Sequence, residues 1–143
     1  MAPLDTGRAM SQENVEVVRA QFAALGHGGL EAVARFWHPD IEWRAIEGAL
    51  DDVGVMRGAD RVRRYYQDWI DTVDHLRVEA VEVIAEAGEQ VVVLVRNSGC
   101  GRVSGAPSSG RYYVACIVRD GRIVKGREYA TQEQAVEAVG LRE

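Results

Sequence analysis

Glu128 is the residue whose neighbours best suit it to acid–base chemistry. It lies in a β-rich run in which Val124, Gly126 and Ala130 share its parity, so one face of the predicted strand carries small or apolar residues around a single acid. Apolar surroundings raise the pKa of a carboxyl group, because burial disfavours the charged form, and the group can then give or take a proton near neutral pH. The pattern predicts a general acid or base in a pocket. The alternative is a rim or dimer position where Glu128 pairs with an arginine.

Arg96 is the predicted partner of Glu128. It ends the apolar run Val91–Val95 and shares parity with Val92 and Leu94. A buried guanidinium needs an acidic partner, and Glu128 on a nearby strand can supply it. In a catalytic pair, Glu128 would move a proton while Arg96 stabilises charge that develops on a substrate oxygen. A purely structural ion pair is the alternative.

Aromatic residues suggest the walls of a pocket. The cluster consists of Trp43, Tyr65, Tyr66 and Trp69. Trp43, Tyr65 and Trp69 are predicted to bind a small, mostly apolar ligand, with Ser98 as a further contact. Aromatic residues at helical spacing also occur in ordinary cores, which is the alternative.

The sequence offers no set of metal ligands and no activated cysteine. The three histidines stand apart, and neither cysteine has a neighbouring histidine. We therefore expect neither a metal nor another cofactor.

The composition is that of a single acidic domain. The chain has 143 residues, 47% of them hydrophobic, and 17 Lys and Arg against 22 Asp and Glu give a net charge of −5. Non-specific binding to nucleic acid or anionic lipid requires a basic surface, and no stretch approaches the ~20 apolar residues that span a bilayer. The first ten residues lack the apolar region of a secretory signal. We expect a cytoplasmic protein that binds neither nucleic acid nor membrane.

The N-terminal half is predicted to be mainly helical. Residues 1–10 lack periodicity and are predicted to be a loose arm ahead of a domain at 11–143. Ser11 is a predicted N-cap, after which apolar residues recur every three or four positions. Two further helices are predicted, one that stops at His38 and one at Asp60–Val73, with a short strand and an irregular acidic segment between them.

The rest of the chain has the pattern of β-strands followed by a short helix. The predicted strands are Arg77–Glu86, Gln90–Gly99, Arg111–Arg119 and Arg122–Ala130. Asp120-Gly121 is a hairpin signal, because glycine tolerates the positive φ of a type I′ turn. Thr131–Gln134 matches a capping box and predicts the C-terminal helix.

This order of elements is α+β and mostly antiparallel, without βαβ alternation. Two predicted strands have apolar residues on both faces, over Val91–Val95 and Tyr112–Val118. In an antiparallel strand with one face in solvent, apolar and polar residues alternate instead. We expect helices to cover one face of these strands and a second copy of the chain to cover the other, which gives a homodimer.

Short strings along the chain carry a family resemblance. They are ENVEVVRAQF at 13–22, FWHPDIEW at 36–43, VVVLVR at 91–96, RDGRIV at 119–124 and REY at 127–129. In this order they resemble the SnoaL-like and ketosteroid-isomerase-like proteins of the nuclear transport factor 2-like superfamily, over residues 11 to 141. The resemblance implies a cone-shaped, strongly bent, mostly antiparallel sheet wrapped around N-terminal helices (a cystatin-like α+β roll), with an apolar pocket and commonly a dimer.

The resemblance also bears on the candidate site. It implies that Glu128 takes the place of a pocket aspartate in limonene-epoxide-hydrolase-like relatives, and Arg96 that of an arginine between two acids. The sequence departs from that pattern, because Ser98 stands in place of the second acid, and Trp43 and Ala45 replace a tyrosine and an asparagine that hold water. Epoxide hydrolysis by the same constellation is therefore not expected.

Three functions remain open, because this superfold hosts isomerases, cyclases and hydrolases as well as binding proteins. The first is a cofactor-independent enzyme that uses Glu128 and Arg96 on a mostly apolar substrate. A ketosteroid-isomerase-like version would use Asp40 or Glu42 as base and Tyr65 as donor. The second is a small-ligand-binding protein without turnover. The third is a dimerisation module whose pocket is filled by side chains.

Overall fold

A six-stranded sheet organises the part of the molecule that the structure describes. The computed structural model describes residues 3–27 and 29–140. The strands are β1 (Trp37–Arg44), β2 (Met56–Arg57), β3 (Val73–Ala87), β4 (Gln90–Gly101), β5 (Pro107–Arg119) and β6 (Arg122–Tyr129). Their spatial order is β2-β1-β6-β5-β4-β3, with β1 and β6 parallel and every other pair antiparallel. The expectation of a mostly antiparallel sheet is confirmed.

The sheet is strongly curved. The pairing of β3 with β4 shifts register at three places, between Asp74 and Arg77, Ala80 and Glu82, and Val83 and Ala85. Each such irregularity adds local twist and bends the strand. The predicted α+β cone is confirmed.

Four helices within residues 3–27 and 29–140 accompany the sheet. They are α1 (Pro3–His27), α2 (Gly29–Ala34), α3 (Ala59–Ile70) and α4 (Gln132–Ala138). The first three pack on one side, α1 against β3 and α3 against β1. Their apolar stripes meet the inward residues of the strands in one buried core, which includes Val18, Phe22, Ile41, Trp43, Val62, Tyr66, Val93 and Val114.

The N-terminus differs from the prediction. Residues 3–10, predicted as a loose arm, form the first turns of α1, which begins at Pro3, a residue that suits the first turn of a helix. Ser11 is therefore inside the helix and does not cap it. Its Oγ accepts a hydrogen bond from the Gly88 amide at 3.1 Å, and Asn14 Nδ2 donates to the Gly88 carbonyl at 2.8 Å. These two side chains fix the β3–β4 turn. The predictions for residues 1–2 and 141–143 lie outside the described residues.

Other boundaries also differ from the prediction. The second helix ends at Ala34, and Trp37 opens β1, in which the pairing with β6 is irregular between Trp37 and Glu42. Pro39 falls within that irregular stretch and has no amide to donate to a ladder. The Asp120-Gly121 hairpin is confirmed, since both residues have positive φ (53° and 77°). Thr131 is confirmed as an N-cap.

The outer face of the central strands is partly covered within the chain. α4 places Ala135 against Val92 and Ala115, and all three are buried. This contact accounts for part of the two-sided apolar pattern from which a homodimer was predicted, so the dimer stays a prediction. No helix in the described part of the chain is both long and apolar enough to cross a membrane.

Candidate functional site

The site is built around Glu128, which lies near the end of β6 and is only 8% exposed. Trp43, on the neighbouring strand β1, lies across Gly126, and a Cβ at position 126 would collide with the indole ring. Glycine therefore lets the ring lie against β6 and reach the carboxyl group. Trp43 Nε1–H donates a hydrogen bond to Glu128 Oε2 at 2.8 Å.

Tyr65 connects Glu128 to the protein surface. Its hydroxyl oxygen lies 3.2 and 3.3 Å from the two Glu128 oxygens and 3.2 Å from Oδ2 of the exposed Asp51. One hydroxyl proton serves one acceptor at a time. When Glu128 is ionised, Tyr65 donates to it; when Glu128 is protonated, Glu128 donates to Tyr65 and Tyr65 donates to Asp51. The three groups thus form a path along which a proton can pass between solvent and the buried carboxyl group.

Burial raises the pKa of Glu128 from 4.5 to about 7. The hydrogen bonds from Trp43 and Tyr65 act in the opposite direction because they stabilise the ionised form, while the charge of Asp51 adds to the rise. Among the described residues, Glu128 has no ion-pair partner. A carboxyl group that is about half ionised near neutral pH can act as either acid or base.

A cavity of about 140 Å³ opens in front of Glu128. It is lined by Ile46, Asp51, Tyr65, Tyr66, Trp69, Asn97, Tyr112 and Glu128. An apolar cavity of about 150 Å³ accepts benzene, so this one has room for about a single ring or a branched head group. Three other grooves in the described part of the chain are larger. Those of about 740 and 760 Å³ have several exposed charged side chains and no buried carboxyl group in their lining. A groove of about 250 Å³ also includes Glu128, together with Glu47 and Arg127.

Tyr66 supplies a second polar group to the cavity. Its ring is buried among Trp37, Trp43, Tyr65 and Trp69, with centroid distances of 5.3 to 6.4 Å. Its hydroxyl is buried and has no hydrogen-bond partner within the described residues. An unsatisfied buried hydroxyl is costly, and a ligand oxygen in the cavity would satisfy it.

The loop at 47–55 is shaped by a different carboxylate, Asp52. Arg44 donates to both of its oxygens at 3.2 and 3.1 Å, and the amides of Gly48 and Gly54 donate at 2.9 and 3.0 Å. These bonds, led by that from Arg44, hold the pKa of Asp52 far below its usual value. The loop thereby presents the adjacent Asp51 to Tyr65.

The structure separates Arg96 from Glu128, so the predicted pair is wrong. Val91, Val93 and Val95 of β4 face the core, and Arg96 has the opposite parity. Arg96 is exposed and lines an outer groove together with Ser98, which does not line the Glu128 cavity either. The apolar residues that share its parity face outward, and α4 covers Val92.

Two of the three aromatic residues predicted to contact a ligand line the cavity. Tyr65 and Trp69 line the cavity, while Trp43 is fully buried behind Glu128 and reaches it through the indole N–H. Of the residues predicted to surround Glu128, Gly126 is buried with it, but Val124 lines an outer groove and Ala130 is exposed. In β6 buried and exposed residues do not alternate between Ile123 and Gly126, since both are buried although they are three positions apart. The apolar surroundings of Glu128 therefore come from other elements.

The ketosteroid-isomerase-like arrangement, with Asp40 or Glu42 as base and Tyr65 as donor, is not formed, because neither carboxylate lines the cavity with Tyr65. Asp40 is exposed and Glu42 half-buried, and both line an outer groove of β1 and β6.

Four lining residues among those described were missed by sequence reasoning: Ile46, Asp51, Asn97 and Tyr112. Asn97 had a usable signal, because it continues the inward parity of Val91 to Val95 with a polar side chain. Tyr112 likewise begins the inward series of β5. Nothing in the sequence indicates that Asp51 meets Tyr65.

The fold and this site define an α+β protein with a small aromatic pocket around one buried acid. The family model of the SnoaL-like domain matches residues 18–126, and the chain belongs to that family, within the nuclear transport factor 2-like superfamily. Glu128 lies two residues beyond the matched segment. No curated protein sequence matches the chain.

Solved structures with the same fold have varied descriptions. A protein from Jannaschia sp. CCS1, provisionally assigned as a SnoaL-like polyketide cyclase, is 19% identical, with a TM-score of 0.72 over 90% of this chain and 92% of its own. A provisionally assigned isomerase from Bacillus subtilis is 21% identical, with a TM-score of 0.72 over 90% and 94%. A hypothetical protein from Catenulispora acidiphila, in complex with trimethylamine, is 17% identical, with a TM-score of 0.68 over 89% and 94%. Likeness at these identities establishes the fold alone.

Proposed function

We propose that this protein is a cofactor-independent enzyme of the isomerase or cyclase kind, which moves a proton on a small, mostly apolar substrate by general acid–base catalysis. The observation that supports the proposal is Glu128. It is buried at an aromatic cavity, it has no ion-pair partner among the described residues, and it is hydrogen-bonded to Trp43 and Tyr65. Structural carboxylates are usually exposed or paired, whereas a pKa poised near neutrality suits catalysis.

The proposed reaction starts with ionised Glu128. It removes a proton from a carbon next to a substrate carbonyl, and the electron pair of the C–H bond shifts to the carbonyl oxygen. The Tyr66 hydroxyl, which has no partner among the described residues, donates to that oxygen as its charge develops. In a substrate with a C=C bond beyond that carbon, Glu128 then returns the proton to the far carbon of the C=C bond. The electron pair moves back from the oxygen, the carbonyl re-forms and the C=C bond shifts by one position, so the isomerisation balances in atoms and electrons. Tyr65 and Asp51 let Glu128 exchange protons with solvent between turnovers.

The proposal is tested by proton exchange, which can be followed on model compounds before the natural substrate is identified. Small cyclic ketones and enones that fit the cavity are incubated in deuterated water, and exchange of their C–H protons is followed by NMR. We expect the wild-type protein to accelerate exchange of at least one compound, and Glu128→Gln to reduce the rate by roughly 10²–10⁴ while the fold is kept. Equal rates for the two proteins, or no acceleration across the panel, would overturn the enzymatic proposal.

Ligand binding without turnover is the second candidate function. The Catenulispora protein favours it, since on the same fold that protein is in complex with a small amine. In that case Glu128→Gln would change ligand affinity with no exchange activity to lose.

We also propose a homodimer and a cytoplasmic location. The dimer is supported by the outer face of β4 and β5, where the half-buried Ile84, Tyr113 and Tyr129 surround the residues that α4 covers. Sedimentation is expected to give twice the monomer mass at micromolar concentration, and a monomer would overturn the dimer. Localisation of a tagged chain tests the second proposal.

A further inference from the structure

The charge of the Glu128 cavity points to one kind of ligand. Its lining contains two carboxyl groups, Glu128 and Asp51, and no lysine, arginine or histidine among the described residues. The nearby guanidinium groups pair with other carboxylates: Arg44 pairs with Asp52 and Glu47, and one terminal nitrogen of Arg127 pairs with Glu47. The Nε of Arg127 is buried without a partner among the described residues, and Arg127 lines a separate groove that Glu128 also reaches, but it does not line this cavity. The cavity is therefore a small space of net negative potential.

The walls of the cavity add a second, independent feature. Four of the eight lining residues are aromatic: Tyr65, Tyr66, Trp69 and Tyr112. The π faces of such rings carry partial negative charge and attract organic cations, most strongly where water is excluded. An aromatic box with a carboxylate is the usual means by which proteins hold methylated ammonium groups. The other two lining residues among those described, Ile46 and Asn97, carry no charge and so do not offset the negative potential of the cavity.

Burial of Glu128 supplies the third feature. Removing a carboxylate from water is costly unless an opposite charge compensates it, and the Trp43 and Tyr65 hydrogen bonds compensate only in part. A cationic ligand in the cavity would compensate the remaining cost of burying the negative charge of Glu128.

We propose that the pocket selects molecules that bear a small organic ammonium group, such as a trimethylammonium head, and places that group among the four aromatic rings with Glu128 as its counter-ion. The inference rests on the proposed function in that it names the substrate class of the same pocket. The volume of about 140 Å³ suits one such head group, with the rest of the molecule leaving past Asp51. A bound cation also favours the ionised form of Glu128, which is the form that accepts a proton.

The experiment compares choline with its neutral isostere 3,3-dimethylbutan-1-ol, in which carbon replaces the charged nitrogen. Both are titrated into the full chain, and binding is followed by NMR shifts of the tryptophan indole N–H groups. We expect choline to bind at least about tenfold more tightly than the isostere, since cation–π contact and a counter-ion act on choline alone. Equal affinities, tighter binding of the isostere, or no binding of either would overturn the inference.

Variants of the protein test whether the preference for choline depends on the Glu128 charge and on the aromatic ring of Trp69. Glu128→Gln keeps the size of the side chain and is expected to remove most of the preference for choline while binding of the isostere is unchanged. Trp69→Leu is expected to weaken choline more than the isostere. Asp68→Asn, which removes an exposed carboxylate from the same helix, is the matched control and is expected to alter neither. A preference that survives in both Glu128→Gln and Trp69→Leu would overturn the inference.

The outcome is independent of the proton-exchange test. If selectivity for choline is absent while Glu128-dependent exchange is present, the ligand class is wrong and the enzyme remains. If choline is selected but no compound exchanges, the ligand class stands and the catalytic function fails.

Discussion

Asp52 and Glu128 are carboxylates at neighbouring sites with opposite surroundings. Asp52 lies in a surface loop and accepts hydrogen bonds from a guanidinium and two backbone amides. Glu128 lies in the core and accepts bonds from an indole and a phenol, with no cation paired to it among the described residues. The pKa of Asp52 is held far below its usual value by Arg44, while burial raises that of Glu128 to about 7.

The comparison shows that the partners of a carboxyl group decide whether it builds structure or performs chemistry. Asp52 stays ionised across the physiological range, so it is a fixed acceptor that shapes a loop. Glu128 lacks a charged partner in the described part of the chain and changes its protonation state near neutral pH. Asp51 joins the two regions, since it belongs to the loop set by Asp52 and meets Tyr65 beside Glu128.

The largest effect is expected from Glu128→Gln, measured as the pH dependence of unfolding. In the unfolded chain the group ionises near 4.5, but in the folded protein it stays protonated up to about 7. The folded state thus binds more protons between these values, and the free energy of unfolding falls as pH rises through them. The loss is on the order of 3 kcal/mol, at about 1.4 kcal/mol for each pH unit, and is complete above pH 7.

The variant carries no titrating group at 128 and is expected to lack this fall. The other titratable groups that face Glu128 are Asp51, Tyr65, Tyr66, Tyr112 and Cys116. Burial raises the pKa of the three phenols and takes that of the Cys116 thiol to about 12, so none of these four titrates in the window. Chemical denaturation from pH 4.5 to 8 makes the measurement, with the exposed Glu82→Gln as control. Parallel curves for wild type and Glu128→Gln would show that Glu128 titrates normally.

Sequence reasoning succeeded where a residue's own strand or helix determines its surroundings. The α+β order and the Asp120-Gly121 turn both follow from local patterns. Glu128 is buried as its strand pattern predicted, but its apolar surroundings come from other elements, and its role stays a proposal. It failed for Arg96, because the apolar residues that share its parity mark a surface covered by α4 and not the core. The contact between Asp51 and Tyr65 joins a loop to a helix, and no periodicity encodes such a meeting.

A cation placed beside Glu128 should lower its pKa, as Arg44 lowers the pKa of Asp52. Asn97→Lys puts an ammonium group in the cavity lining at a half-buried position. An opposite charge at close range lowers a carboxyl pKa by about 1–3, so the Glu128 pKa is expected to fall from about 7 toward its ordinary 4.5. Carbon-13 NMR of the glutamate carboxyl group measures the change. Asn97→Gln, which adds length without charge, is the control, and an equal fall in that variant would rule out the electrostatic cause.

A smaller effect in the opposite direction is expected from Tyr65→Phe. The Tyr65 hydroxyl stabilises ionised Glu128, so its removal should raise the Glu128 pKa above 7. A hydrogen bond to a charged group is worth about 1.5–3 kcal/mol, which corresponds to a rise of about 1 or more. The same NMR titration makes the measurement. Tyr113→Phe, on the outer face of β5, is the control, and a lower pKa in Tyr65→Phe would contradict the assigned role.

The smallest effect on the pocket is expected from Asp52→Asn, although it removes the best-bonded carboxylate of the loop. Asparagine is neutral and offers a single acceptor oxygen, so Arg44 loses the charge of Asp52 while it keeps Glu47 as a partner, and at least one of the amides of Gly48 and Gly54 loses its bond. Amide hydrogen exchange is expected to become faster at these two glycines and unchanged in β4. The Glu128 pKa is expected to fall at most slightly, through a looser Asp51. A fall as large as that in Asn97→Lys would mean that the loop and the pocket act as one electrostatic unit.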